Sequence, residues 1–293
     1  MFLPIFIMTR NEGIYLNTCI TSLMNIMPRE INYHIYIIDN DSNQKEQVAV
    51  LSDLKLKYDN LTIIVTKNRW IRSINIALKE ARERYDFDIF FITDGDIWFN
   101  HPSLSKDTFL KTYKNIHSNK FIGKLGFSLD WQFLEENHLN EILAQENMLY
   151  NEDKKINDLY ISAVDTTGCF MRNKWSIEES SKFYPDHMRY LKFDLYSCRT
   201  ARNILVYHKG WEGYVSSPEL KNDVDQKVLC FTLNGADVKN IILNRASFKI
   251  FIFHRLFSRP IRYIWILRRF YYATSYLIRN FRGFQSQGFN IQS

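Results

Sequence analysis

The chain has 293 residues, 46% of them apolar and 24% charged, with a formal net charge of +6. Those fractions belong to a soluble globular protein rather than a disordered one, and the length allows one large domain or two smaller ones. Cys19, Cys169, Cys198 and Cys230 are scattered and form no Cys-x-x-Cys pair, which argues against a zinc ribbon or a dense disulfide framework and fits a reducing cytoplasm.

Met1 to Arg10 has no basic leader before its apolar stretch and runs directly into Asn11 and Glu12, so it reads as a first strand, Leu3 to Met8, and not as a signal peptide. Apolar residues at helical spacing follow from Ile14 to Met27. His34 to Ile38 is a second strand ending in Asp39-Asn40-Asp41-Ser42, Val48 to Tyr58 a helix, Leu61 to Val65 a third strand and Ser73 to Tyr85 a helix with alternating charges. Asp88 to Thr93 is the fourth strand. Its four consecutive apolar residues, Ile89 to Ile92, indicate burial on both faces, as in a parallel sheet. Right-handed crossovers then place four polar strand ends on one rim: Thr9 to Glu12, Asp39 to Ser42, Lys67 to Trp70 and Asp94 to Asp96. Asp94 and Asp96 flank Gly95, and two hard oxygen donors so spaced can share a divalent cation and through it hold a diphosphate. The same tripeptide is also a common polar turn.

Beyond Asn100 the periodicity weakens. Asp107 to Asn115 reads as helix, Phe121 to Leu129 as strand, and Leu134 to Asp153 as a helix with a charged loop. Ile161 to Met171 is a strand interrupted at Asp165-Thr166-Thr167-Gly168, Ile204 to His208 a short strand, and Gly210 to Asp225 a polar, mobile loop. From Asn240 onward there are nine basic residues and no acid, which leaves about −3 for the preceding part. Residues 245 to 282 mix arginine with Phe, Ile, Tyr, Trp and Leu, and Ser258-Arg259-Pro260 is expected to break them into two helices. No apolar window reaches the roughly 18 residues of a membrane span. Arg255, Arg259, Arg262 and Arg269 fall near one face and Ile261, Ile264, Trp265 and Tyr272 on another, a pattern that suits an interfacial helix on anionic lipid or a helix pair packed on the rest of the chain.

Several short pieces stand in a telling order. They are Thr9-Arg10-Asn11-Glu12, Ile38-Asp39-Asn40-Asp41-Ser42, Asn68 with Asn75, Asp94-Gly95-Asp96, Thr167-Gly168-Cys169-Phe170-Met171-Arg172, and Phe193-Asp194-Leu195 before Val206-Tyr207-His208. From residue 1 to about residue 210 the chain resembles a family-2-like glycosyltransferase with the GT-A, or nucleotide-diphospho-sugar transferase, fold. The resemblance implies an α/β domain over residues 1–240, a mixed, mainly parallel sheet flanked by helices, with a basic aromatic helical tail at 241–293.

It also implies roles. Asp39 would accept hydrogen bonds from nucleobase or ribose, since one carboxylate can serve two hydroxyls. Thr9, Arg10, Asn11 and Glu12 would line the nucleotide, with Asn68 and Arg69 nearby; Asp94, Gly95 and Asp96 would be the family's Asp-x-Asp motif. Asp96 would be the direct ligand of Mn²⁺ or Mg²⁺ and Asp94 a contact to ribose or metal-bound water. His208 resembles a third metal ligand, which would favour manganese. The general base of an inverting transfer would be Asp194, although Leu191-Lys192-Phe193 lacks the usual acid before it, with Asp165 the rival. Trp131, Trp175 and Trp211 suit either sugar stacking or the core. The implied activity is an inverting metal-dependent transfer of a sugar from a nucleotide sugar to a bacterial surface glycan (capsule, O-antigen or lipooligosaccharide), peripheral at the cytoplasmic face of the cell membrane and without nucleic acid. A nucleotidyltransferase, which should show a Gly-rich basic loop where Thr9 to Gly13 stands, and a non-catalytic glycan-binding or scaffold protein are the alternatives.

Overall fold

The computed structural model describes residues 1–173, 175–176, 184–185, 196–215 and 221–279. The chain forms two compact units, Met1–Asn173 with Lys192–Ser217, and Lys174–Leu191 with Pro218–Ser293. In the first unit β1 (Phe2–Thr9), α1 (Gly13–Ile26), β2 (Asn32–Asn40), α2 (Lys45–Lys57), β3 (Leu61–Thr66), α3 (Ile74–Arg84) and β4 (Ile89–Asp94) alternate as the apolar pattern requires. There follow β5 (Ile97–Trp98), α4 (Lys106–Ser118), β6 (Ile122–Gly126), β7 (Ser128–Leu129), α5 (Gln132–Glu136), α6 (Asn140–Asn147), β8 (Lys155–Ile156), β9 (Leu159–Ile161) and β10 (Cys169–Arg172). After β11 (Trp175–Ser176) and β12 (Tyr184–Pro185) of the second unit, β13 (Tyr196–Arg199) and β14 (Leu205–His208) complete the first.

The main sheet has nine strands in the order β3-β2-β1-β4-β10-β6-β13-β9-β8, and a smaller one has the order β5-β14-β7. β3, β2, β1 and β4 are parallel, while β10 runs antiparallel to both β4 and β6. The sheet is therefore parallel over its first four strands and mixed beyond. Successive residues of β4 serve opposite faces, as strand geometry demands. Phe90 joins Phe6 on one face; Phe91 joins Phe109, Phe127 and its cross-strand partner Phe170 on the other. All are fully or almost fully buried, and truncating one such ring to alanine costs about 3–5 kcal/mol.

Several expected boundaries differ. Phe121 to Leu129 forms two strands in two sheets, because the chain turns at Phe127, whose N–H donates to Gly168 O at 3.0 Å. Gly126, which ends β6, lets Val164 pack close: a Cβ there would lie 2.5 Å from Val164 Cγ1. Leu134 to Asp153 holds two short helices separated by His138 at φ 52°. The two halves of Ile161 to Met171 are separate strands with different partners. Instead of a loop throughout, Gly210 to Asp225 contains a 3-10 segment, Lys209–Tyr214, and the start of α7 (Lys221–Leu233).

In the second unit α7 packs against α8 (Asn240–Leu243) and against α9 (Phe248–Arg279), one helix that runs through Pro260 rather than breaking there. Pro260 and Leu256, whose carbonyl loses its partner, are both exposed, so water satisfies the freed group. Trp265 and His254 anchor the packed face, through Trp265 Nε1 to Leu233 O at 2.7 Å and His254 Nδ1 to Thr232 Oγ1 at 2.8 Å. Trp265 and Ile264 thus part company: Trp265 is held inward and Ile264 is exposed. Phe248, Leu256, Tyr263, Leu267 and Tyr271 are exposed as well. Among the described residues no helix is long and apolar enough to cross a membrane.

Candidate active site

From β1 the chain proceeds to β2 and β3 on one side and reaches β4 on the other. The carboxyl ends of β1 and β4 therefore form the switch point at which open α/β sheets leave a binding crevice. Register brings Thr9 opposite Asp39 and Met8 opposite Asp94. Asp39, 2% exposed, accepts from Ser42 N at 3.2 Å, from the Ser42 hydroxyl and from Gln47 Nε2 at 3.4 Å. Gln47 also donates to Thr9 Oγ1 at 3.2 Å and accepts from Glu12 N at 3.0 Å. Asn11, at φ 55°, donates its N–H to Ser42 Oγ and accepts from Asn43 N. The first two loops are thereby laced into one surface that also includes half-buried Arg10. Asn68 and Arg69 follow β3, two strands away from β1, with Arg69 exposed.

Asp94 and Asp96 differ sharply in their surroundings. Both oxygens of Asp94 accept from the Thr166 hydroxyl at 2.8 Å. Burial, then the neighbouring Asp96 charge, push the Asp94 carboxyl up to about 7, against the Thr166 bond, which lowers it. Asp96 keeps a buried Oδ1 with no hydrogen-bond partner among the described residues. β14 brings His208 beside it: His208 pairs with Ile97, Lys209 N donates to Asp96 O at 2.9 Å, and His208 Nδ1 lies 3.9 Å from Asp96 Oδ2. Nδ1 likewise has no hydrogen-bond partner among the described residues. Gly210 makes the approach possible, because a Cβ there would stand 1.9 Å from Asp96 Oδ2. Gly95 is constrained too, its Cβ position lying 2.9 Å from Glu12 Oε2.

Among the described residues no group of three or more His, Cys, Asp or Glu converges as a metal cluster. Asp96 and His208 nevertheless offer two unpartnered donors within a span that one cation can bridge. Cations that act on diphosphates take few protein ligands and fill their other positions with water and phosphate oxygens. The donor set fits such an ion, with Asp94 withdrawn to Thr166.

Asp165 is exposed and immediately precedes Thr166; Asp194 lies outside the described residues. Trp211 stacks on His208 with ring centroids 4.7 Å apart, and Arg202 covers Trp131 at 3.3 Å. Both indoles are largely buried, and Trp175 belongs to the second unit. Sequence reasoning missed Gln47, the Thr166 clamp, and the ion pair of Arg199 Nη1 with Glu146 Oε2 at 3.9 Å. Arg199 is 2% exposed and donates from Nε to Ala163 O at 2.8 Å. Burial raises the Glu146 carboxyl and Arg199 opposes the shift. A buried arginine in a strand and a glutamate on a short helix carry no joint sequence signal.

No curated protein sequence matches the chain. Among solved structures it is similar to a mannosyltransferase, PcManGT from Pyrobaculum calidifontis in complex with GDP-Man and Mn²⁺, at 11% identity and TM-score 0.47, covering 98% of this chain and 76% of that one. It is also similar to S. aureus TarS 1-349, at 13% identity and TM-score 0.45 over 100% and 95% of the two chains. A third, GalNAc-T7 with UDP, GalNAc and Mn²⁺, has 16% identity and TM-score 0.44 over 85% and 56%. The sequence pattern of glycosyl transferase family 2 matches residues 5–180, more than half of the chain and all of the β1 to β4 rim. The protein is therefore a glycosyltransferase that belongs to glycosyl transferase family 2.

Proposed function

We propose that this glycosyltransferase is inverting and metal-dependent, and moves a sugar from a nucleotide-diphosphate-sugar to a hydroxyl of a bacterial surface glycan such as capsule, O-antigen or lipooligosaccharide. The observation that carries the reading is the presence, at the sheet's switch point, of unpartnered Asp96 Oδ1 and His208 Nδ1, the second Asp96 oxygen lying 3.9 Å from that nitrogen. In this reading Asp39 and the Thr9 to Glu12 loop bind the nucleoside, since a carboxylate has about four lone-pair positions and Asp39 keeps capacity beyond its three protein bonds. Asn68 and Arg69 flank the nucleotide from farther out on the same rim, beyond Asp39 and on the side away from Asp94 and Asp96. Asp96 and His208 hold Mn²⁺ or Mg²⁺, which supplies Lewis-acid stabilisation of the leaving diphosphate; the imidazole favours manganese. Asp94, clamped by Thr166, orients ribose or metal-bound water.

Asp194 is the base in this scheme, with Asp165 its rival. The acceptor oxygen bonds to the anomeric carbon as that carbon's bond to the β-phosphate oxygen breaks; the carboxylate takes the hydroxyl proton and the electron pair departs with the nucleoside diphosphate. Arg255, Arg259 and Arg262 follow one flank of α9 beside its exposed apolar residues, which suits adsorption to anionic lipid at the inner face of the membrane and a lipid-linked acceptor. The test is a screen of nucleotide sugars for Mn²⁺-dependent hydrolysis. Asp96→Asn and His208→Ala are expected to lower that rate at least a hundredfold while the nucleoside diphosphate alone still binds, and unchanged metal dependence would sink the assignment. Leu256→Glu with Leu267→Glu should release the protein from anionic vesicles; continued co-sedimentation speaks against the lipid contact.

A further inference from the structure

A cleft of about 160 Å³ opens beside His208 between α5 and the Lys209–Tyr214 segment, with Asp130, Phe133, Glu136, Tyr207, Trp211 and Glu212 among its walls. It is smaller than the roughly 300–1,000 Å³ of a site for a drug-sized ligand, and has room for a single ring. Its chemistry is one-sided. Three carboxylates face one lysine, Lys209, which is already bonded to Glu212 at 2.6 Å. Asp130 approaches His101 Nε2 at 3.4 Å and accepts from Gln132 N at 2.8 Å, while exposed Glu136 accepts from Gln132 Nε2 at 2.7 Å. Away from its His208 edge such a lining disfavours a diphosphate. It suits hydroxyl or ammonium donors, with aromatic walls for the apolar edge of a ring.

We infer that this cleft receives the terminal sugar of the acceptor, and that its carboxylates select a neutral or amino sugar and reject a carboxylated, sulfated or phosphorylated one. The inference rests on the proposed transfer only in naming the occupant as acceptor. The position beside His208 puts that ring next to the donors proposed to hold the metal and its diphosphate.

The test uses the full chain and ligand-observed NMR affinities for methyl glucopyranoside, methyl glucosaminide and methyl glucuronide, and for the galacto-configured set, with and without UDP plus Mg²⁺. In at least one configuration the neutral and amino glycosides should bind and the uronide should be about tenfold weaker or worse. Glu136→Gln should narrow that gap and Glu136→Lys reverse it; Glu136 is exposed and, among the described residues, is bonded to the neighbouring Gln132 side chain, and Asp130→Asn provides a second, independent change. Equal binding of the uronide, a gap indifferent to both variants, no binding of any glycoside, or displacement of the bound glycoside by a nucleotide sugar would each overturn it. UDP and GDP binding with Mn²⁺ is titrated in the same samples, so a failed transferase reading shows there while glycoside selectivity stands or falls separately.

Discussion

Gly210→Ala offers the sharpest test of how the proposed metal pair is built. The added methyl would lie 1.9 Å from Asp96 Oδ2 and 3.0 Å from His208 Cε1. Since Cβ atoms do not come within 3.0 Å of other heavy atoms, the carboxylate must retreat by more than about 1 Å in a close-packed setting. Overpacking of this kind costs about 1–3 kcal/mol, so the variant should fold with its melting temperature lowered by several degrees. The larger effect falls on the metal. Disturbing a residue that orients a ligand lowers affinity roughly 10–100-fold, and here the ligand itself is displaced. Mn²⁺ titration followed by electron paramagnetic resonance, with UDP or GDP present, reads the affinity, and thermal unfolding without metal reads the fold. A variant that keeps wild-type Mn²⁺ affinity and hydrolysis would refute the reasoning, because Asp96 would then not need its present position.

Other perturbations probe the surrounding framework. The Asp94 carboxyl is ordinary near 3.8 when unfolded and stands at about 7 when folded, so between those values the native state holds a proton that the unfolded chain lacks. Metal-free stability should fall as pH rises from about 4 to about 7 and then level off; Asp94→Asn should flatten the slope in melting curves, and Thr166→Val should extend it above pH 7. Asp39→Ala strands Ser42 and Gln47 donors at a cost of about 1–3 kcal/mol, and calorimetry should find nucleotide binding weakened by about tenfold or more. Arg199→Leu leaves Glu146 without its buried partner and should cost about 3–5 kcal/mol; in denaturant titrations the double variant with Glu146→Leu should lose less than the two singles combined.

The β1 to β4 rim was legible because strands buried on both faces write themselves as continuous apolar runs, and the polar residues ending them must then fall on one edge. His208 was legible for the same reason, as the last residue of a short apolar strand. Thr166 was visible only as part of an interruption, since nothing local says which carboxylate a threonine will clamp. The division of Phe121 to Leu129 was hidden because nothing beside Gly126 marks a change of sheet, and the need for a glycine there arises from Val164, distant in sequence. Pro260 misled for the opposite reason: the local rule against proline in a helix yields when the orphaned carbonyl faces water.

β14 is the middle strand of its sheet, and it follows the excursion into β11 and β12. Closing so long a loop is entropically costly, so contacts of this range form late in folding. In the proposed reading Asp96 and His208 consequently do not meet in any intermediate lacking β14, and cation and nucleotide would recognise only the finished unit. A ligand at 100 times its dissociation constant adds about 2.7 kcal/mol to the state it binds. On that proposal the donor substrate would act as an inspector of assembly, rewarding chains whose final strand has been threaded home and leaving misassembled ones both inactive and unprotected.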